Sequence, residues 1–502
     1  MQSRSPVSCC EDNVDVSCLG RLIAQAALVV LVAIASLVHP AHAAQSERAP
    51  SASAAARPNI IVVLADDLGF GDLGSYGARQ IRTPHLDQMA RDGARLTSFF
   101  SSANVCTPSR AGMLTGRYAA RSGLAVGVLQ AHSTYGLPEG EITLPELLRG
   151  QGYRTAMLGK WHLGSRANFW PTSHGFDTFW GVPWSNDMKP LPLYRGMEIL
   201  EEPLIQETFA DRLVEEARSV ISAPSGQPFF LYISHIAPHV PLRPGPRFAG
   251  RSRAGLYGDF VEEMDWTMGE IFAAIRRAGK ERETIVIFTS DNGPWFEGSS
   301  GALRDRKGST YEGAFGVPFL ARWPGQIPKG LVSDEMSMNI DMLPTLARIA
   351  GASLPNDRVI DGKDITPILT RRTAKTPHER LLFFSNAEIA AVRTSDWRLV
   401  VRSFYQQFDV PFDAFGYRLL FNMRTDRSET TSVWHLFPDT VARLEGMLVT
   451  ARSEFSGLAQ QRPLPALGAP IQLPAGERPG PTKQTFPQLG NQPPIVQPQA
   501  PR

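Results

Sequence analysis

The stretch Val105-Cys106-Thr107-Pro108-Ser109-Arg110-Ala111-Gly112-Met113-Leu114-Thr115-Gly116-Arg117 brings a thiol and a guanidinium close together in the chain. Pro108 suits the first position of a helix, and Thr107 suits the N-cap before it. That places Cys106 just ahead of a helix N-terminus, where free backbone N–H groups and the helix dipole favour an anion. Arg110, one turn in, can aim its fork of donors at the same spot. A sulfur nucleophile precursor, an anion hole and a guanidinium would then meet on one segment. The same residues also read as a small buried cysteine leading an ordinary capped helix, so the rest of the chain has to decide.

Two further clusters supply oxygen. Asp66-Asp67 and Asp291-Asn292 offer only oxygen ligands, the set that hard ions such as Ca²⁺ or Mg²⁺ prefer, whereas zinc favours nitrogen and sulfur. Twin acids alone are commonly caps or solvated turns; a second acid-amide doublet shifts the balance towards a metal site. Lys160 and His162 alternate on a segment expected to be extended, so both can face one side. His239 follows Ser234-His235 and precedes Pro241, and on its own reads equally as a structural histidine. Lys307, in Arg304-Asp305-Arg306-Lys307-Gly308, reads by composition as an ordinary surface lysine.

The elements that must position these groups are legible as apolar runs. Asn59–Leu64, Arg154–Leu158, Phe229–Ile233 and Thr284–Thr289 are short runs read as buried strands. Each ends in one of the polar clusters. Helical periodicity lies between them, around Leu144–Leu148, Ala210–Ile221 and Tyr257–Ala278. Alternating strand and helix predicts an α/β domain with a mostly parallel sheet, whose ligands sit beyond the carboxyl ends of the strands. From about Arg371 the pattern changes. Leu381–Phe384, Ala390–Thr394 and Trp397–Val401 read as shorter strands, and Val441–Phe455 as a closing helix. Residues 58–370 are therefore expected to form the catalytic domain and 371–461 a smaller α+β domain with an antiparallel sheet. Residues 462–502 are dense in Pro, Gly and Gln and suit a disordered tail.

At 502 residues the chain is long enough for two or more domains. Its net charge of +2 gives no global field for nucleic acid or acidic membranes, so attraction for an anion must be local. Arg21, the apolar run Leu22–Val38 and the small-x-small Ala41-His42-Ala43 predict a signal peptide over 1–43. An Ala/Ser-rich flexible leader over 44–57 follows. The run is short for a membrane span, so export to the periplasm or medium is expected. Cysteines occur only at positions 9, 10, 18 and 106, and cleavage after Ala43 would leave Cys106 alone. An exported chain often pairs its cysteines. A lone one in a polar motif favours the functional reading.

Cys-x-Pro-Ser-Arg followed by Leu-Thr-Gly-Arg resembles the signature of type I sulfatases, and the resemblance runs from about Asn59 to Leu369, more weakly to Phe421. Gly175-Phe176-Asp177 through Trp184-Ser185-Asn186-Asp187, and Ile340-Asp341-Met342-Leu343-Pro344-Thr345-Leu346, look closest to the arylsulfatase A branch. The resemblance implies the alkaline phosphatase superfamily fold, and conversion of Cys106 to formylglycine by a formylglycine-generating or sulfatase-maturating enzyme. It also implies a calcium ion (Mg²⁺ as second choice) on Asp66, Asp67, Asp291, Asn292 and residue 106. By the same resemblance Arg110, Lys160 and Lys307 neutralise sulfate, His239 protonates the leaving alcohol, His162 takes a proton from the nucleophile, and Ser185 touches the sulfate. Lys307 enters through the pattern Lys-Gly-x-Thr-Tyr-Glu-Gly. The substrate expected is a sulfate monoester. A phosphate or phosphonate ester hydrolase on the same fold, or an inactive carbohydrate-binding relative, are the alternatives. There are two departures. The arginine that most relatives carry after the Tyr-Glu pair is absent from Gly313-Ala314-Phe315-Gly316-Val317-Pro318, which leaves the packing around Lys307 open. The usual Tyr-Asp-Leu segment reads Leu420-Phe421-Asn422-Met423. Oligomeric state is not legible.

Overall fold

The computed structural model describes residues 57–405 and 408–461, so the expected signal peptide, most of the leader, Cys9, Cys10, Cys18 and the Pro-rich tail lie outside the described residues. Five parallel strands form the centre of a ten-stranded sheet, in the order Thr284–Ser290, Asn59–Ala65, Phe229–Ser234, Arg154–Lys160 and Thr178–Val182. Four of these are the runs read from the sequence, each longer by one or two residues. Short strands complete both edges: Phe319–Arg322, Ala94–Leu96 and Leu331–Ser333 on one side, Leu193–Arg195 and Glu198–Glu201 on the other.

The central strands are continuous apolar runs because both faces are covered. Ile60, Val62 and Leu64 point into one core, whereas Ile61, Val63 and Ala65 point into the other. Helices Phe209–Ser222 and Gly255–Arg277 pack on the second face through residues such as Leu213, Ile221, Met264 and Ile271. Helices Leu144–Gly150 and Met342–Ala350 lie on the first. The same first core takes in a four-stranded antiparallel sheet, Leu381–Ser385, Glu388–Arg393, Trp397–Val400 and Leu419–Asn422, and the helix Pro438–Phe455. This is the α/β sandwich with a small antiparallel sheet expected from the sequence.

The Cys-Pro-Ser-Arg segment departs in detail. Its helix runs Cys106–Thr115 with Val105 as N-cap, so Cys106 is the first helical residue rather than the one ahead of the helix. Thr107 does not cap. Its hydroxyl donates to the His162 carbonyl (3.1 Å) and accepts from the Leu129 amide (3.1 Å), a tertiary bond that outcompetes the local one. All ten residues are buried, Arg110 among them.

Strand approach is tightest at Gly159, where φ is +102° and an added Cβ would lie 1.9 Å from the Ser234 carbonyl oxygen. Gly159→Ala is expected to cost about 2–4 kcal/mol, from the positive φ and the forced separation of two central strands. Urea unfolding of the variant checks this, and an unchanged midpoint would contradict the packing described.

Candidate active site

The carboxyl ends of the four central strands deliver their polar residues to one place. Asp66 and Asp67 follow Ala65, Lys160 ends its own strand, and Asp291 and Asn292 follow Ser290. The backbone fixes their register: the Asp291 amide donates to the Ala65 carbonyl (3.1 Å) and the Asp66 amide to the Ala237 carbonyl (3.0 Å). Asp67 is held in a left-handed turn with φ of +64°, and its amide donates to Asp291 Oδ1 at 3.1 Å. A non-glycine residue there carries strain that these bonds sustain.

Around Cys106 the contacts alternate in sign. Lys307 Nζ lies 3.4 Å from Cys106 Sγ and 2.7 Å from Asp67 Oδ2. Asp66 Oδ1 and Asp67 Oδ1 lie 3.7 and 4.0 Å from the same sulfur. Lys160 Nζ donates to Asp66 Oδ2 (2.6 Å) and to Ser185 Oγ (3.0 Å). Arg110 donates through Nε to Asp291 Oδ2 at 2.9 Å, and its Nη2 lies 2.7 Å from that oxygen and 3.3 Å from Asp66 Oδ1. His239 Nε2 is 3.6 Å from Asp67 Oδ2, and its Nδ1 pairs with the Val240 carbonyl at 2.5 Å. Ligand atoms of Asp66, Asp67, Cys106 and His239 all lie within 4.8 Å of one another. His239 thus joins a cluster in which the sequence reading had not placed it as a ligand.

His162 differs from its expected conformation. Its φ is +61°, so the extended alternation with Lys160 breaks there. Its Nε2 pairs with the Leu129 carbonyl at 2.9 Å. A carbonyl only accepts, so Nε2 carries the hydrogen and Nδ1 is left with a lone pair. That Nδ1 is buried and has no hydrogen-bond partner among the described residues. Burial, reinforced by Lys160 and Arg110, holds the ring's pKa well below the ordinary histidine value, so it is a neutral base.

The carboxylates are not equivalent. Burial opposes ionisation of Asp66, but Lys160, His239, Arg110 and Lys307 outweigh it and hold its carboxyl well below the usual range. Asp291 goes the other way: burial, with Asp66 and Asp67 adding to it, raises its carboxyl despite Arg110. Burial also pushes the Cys106 thiol up to about 12, beyond what Lys160 and Lys307 offset.

A dication fits this donor set. Three buried carboxylates face two buried cationic side chains, Arg110 and Lys160, and the partly buried Lys307, so the protein groups cancel and a divalent ion would leave a local surplus of positive charge for an anionic substrate. The Asn292 amide donates through Nδ2 to Asp67 Oδ1 at 2.7 Å, while its Oδ1 is buried without a partner among the described residues. Turning that amide would aim the orphaned oxygen at the same place as the Asp67 carboxylate.

Some members of the site had no local signal. Ser234 Oγ accepts from Arg110 Nη1 at 2.5 Å. Asn339 Nδ2 donates to Ser109 Oγ (2.8 Å) and Ser109 O (3.1 Å), and Ser109 in turn donates to the Asp291 carbonyl. Asn104 clamps the Lys307 loop, its Nδ2 on the Ser309 carbonyl at 2.9 Å. Only the position of Ser234 at a strand end could have marked it.

Comparison with known proteins gives the site its context. The model of the sulfatase family matches residues 58–352, and the model of the C-terminal region of N-sulphoglucosamine sulphohydrolase matches 304–436. Arylsulfatase A of Bos taurus is 42% identical, with 66% of this chain and 71% of that protein covered. Steryl-sulfatase of Mus musculus is 37% identical, with 72% of each covered. The crystal structure of the sulfatase PsFucS1 from Pseudoalteromonas sp. superimposes with a TM-score of 0.74 at 28% identity, over 80% of this chain and 92% of that one. Sequence, fold and the polar cluster at the strand ends agree: the chain belongs to the sulfatase family, the hydrolases of sulfuric esters.

Proposed function

We propose that the chain is an exported, arylsulfatase-like enzyme that hydrolyses sulfate monoesters with formylglycine derived from Cys106 and one bound Ca²⁺, Mg²⁺ being the second choice. The observation that carries this reading is the setting of residue 106, with Lys307 Nζ at 3.4 Å and the carboxylates of Asp66 and Asp67 on its other side. When present, formylglycine supplies a geminal diol at that position, and the dication supplies charge for the sulfate oxygens and the nucleophile. Asp66, Asp67, Asp291 and Asn292 are the residues that would hold the ion.

The chain's own groups divide the remaining work. Each lysine ammonium has three donors. Lys160 Nζ, on Asp66 and Ser185, and Lys307 Nζ, on Asp67, are placed to turn donors to sulfate oxygens, with Ser185 Oγ as a neutral contact. Arg110 orients Asp291 and Asp66 and adds a fixed positive charge. His239, tethered through Nδ1 to the Val240 carbonyl, presents Nε2 to hold a proton and give it to the leaving oxygen. His162 Nδ1, neutral and without a hydrogen-bond partner among the described residues, takes a proton from the nucleophile side in the second step. Export rests on the Leu22–Val38 run and Ala41-His42-Ala43; among the described residues no helix is long and apolar enough to cross a membrane. A separate maturating enzyme is the partner this reading requires.

The test is a substrate panel on purified protein whose residue-106 peptide and N-terminus have been determined. Aryl sulfates should be turned over with kcat/KM at least a hundredfold above matched phosphate monoesters and phosphonates. The peptide should carry an aldehyde, and the chain should begin near Ala44. Faster phosphate or phosphonate turnover would favour the alternative ester hydrolase, and an intact N-terminus would remove the export reading.

A further inference from the structure

Lys307 sits on a loop, and loops position catalytic groups well only when something rigid holds them. One side of this loop is tied to the segment after the strand Thr284–Ser290 and to the one before the helix Cys106–Thr115: the Lys307 amide donates to the Pro294 carbonyl and the Gly308 amide to the Asn104 carbonyl, both at 3.0 Å. The other side is tied to the small antiparallel sheet by a fully buried charge network. Arg398, on the strand Trp397–Val400, pairs with Glu429 and donates through Nη2 to the Thr310 carbonyl at 2.5 Å. Arg393, on the neighbouring strand, donates through Nε to Glu312 Oε1 at 2.5 Å. Glu429 Oε2 accepts from the Glu312 amide at 2.7 Å, and its carbonyl accepts from Arg304 Nη1 at 2.8 Å. The four charged side chains are 0–3% exposed.

The turn after Glu312 is tightly packed: a Cβ on Gly316 would lie 2.4 Å from Leu303 Cδ1. The positive charge facing Glu312 comes from Arg393, on the small antiparallel sheet, and its guanidinium also lies over the Phe100 ring at 5.0 Å. Residues 304–313 form a closed unit, the Gly313 amide donating to the Arg304 carbonyl at 2.8 Å. A pull at Thr310 or Glu312 is therefore passed to Lys307, a few residues away.

We infer that Arg393, Arg398, Glu312 and Glu429 are positioning residues for the reaction. Through them the small antiparallel sheet holds the 304–313 loop so that Lys307 Nζ stays on residue 106 and Asp67. The inference rests on the role proposed above for Lys307. Removing one buried charge leaves its partner unpaired and threatens folding. The informative variant is therefore the neutral pair Arg393→Gln/Glu312→Gln, with Arg393→Lys as the charge-retaining control.

In the pair variant, hydrogen exchange at residues 304–313 should quicken at least tenfold while the central strands exchange as in the parent. Aryl sulfate kcat/KM should fall at least tenfold, and Arg393→Lys should recover most of it. Placed on Lys307→Ala, the pair substitution should cause no further loss, because it acts through Lys307. Multiplicative losses on Lys307→Ala, or exchange and turnover both like the parent, would overturn the inference. If the parent protein itself fails to hydrolyse sulfate esters, the proposed function falls, and the exchange at 304–313 still decides whether the network holds the loop.

Discussion

Cys106→Ser is expected to yield a folded protein that binds its metal but loses steady-state turnover by about a thousandfold or more, on the order of 4 kcal/mol of barrier. Cys106→Ala should lose even a first turnover. The folded state should tolerate both changes: the side chain is small, and its contacts are polar ones to Lys307, Asp66 and Asp67 rather than apolar packing. Serine can donate to the same carboxylates, and alanine leaves a cavity of only one atom. The chemistry is less forgiving. With burial pushing the thiol up to about 12, the unmodified side chain stays protonated near pH 7 and is a weak nucleophile. Even when it reacts, sulfur would be left as a trapped thiosulfate ester. Serine would form a sulfate ester with no second hydroxyl to collapse it. A geminal diol has that second hydroxyl, and in the proposed reaction its proton goes to His162 Nδ1, which is buried with no hydrogen-bond partner among the described residues. The checks are intact-protein mass after incubation with an aryl sulfate, expected to show a single sulfo group retained on the serine variant, and turnover against the formylglycine form. Full-rate hydrolysis by protein carrying an unmodified thiol would overturn the mechanism.

The sequence made the site visible to the extent that its signals were local. Asn59–Ala65 and Thr284–Ser290 are apolar on both faces because two cores need them, so each reads as a strand, and the acids after them stand out against that background. The Cys106–Thr115 helix has no apolar face to read, since every residue is buried, and the capping rule misplaced its start because the Thr107 hydroxyl is used elsewhere. His162 reads as part of an extended segment, yet its left-handed backbone depends on tertiary bonds that no periodicity reveals. Lys307 looks like any surface lysine; its pairing with Asp67 joins residues 240 positions apart. The strands Thr178–Val182 and Leu193–Arg195 are too short and mixed to be told from loop. Arg393, Arg398 and Glu429 carry no motif, because their meaning lies entirely in which sheet they face.

The second large effect concerns the metal. Asp66→Ala or Asp291→Ala is expected to abolish both stoichiometric calcium and turnover. Each substitution also strips a partner from buried cations, Lys160 and Arg110 for Asp66, and Arg110 for Asp291. Leaving Lys160 without its carboxylate costs about 3–5 kcal/mol, and Arg110 keeps only one of its two, so loss of activity alone would not separate ligation from folding. Asp66→Asn and Asp291→Asn keep volume and one oxygen, and they should fold while binding calcium at least a hundredfold more weakly. The readout is the calcium-dependent rise in stability, since a ligand that binds only the native state adds about 2.7 kcal/mol at a hundred times its Kd. The parent should show that increment, and the asparagine variants should show it only at proportionally higher calcium. The dependence on pH follows from Asp291. Burial raises its carboxyl, so binding a dication must displace a proton over the range where that carboxyl is still protonated. Calcium affinity should therefore rise with pH through that range and level off above it, and the Asp291→Asn variant should lose this slope. Stoichiometric zinc in active protein, or turnover indifferent to a chelator that strips calcium, would contradict the oxygen-ligand site.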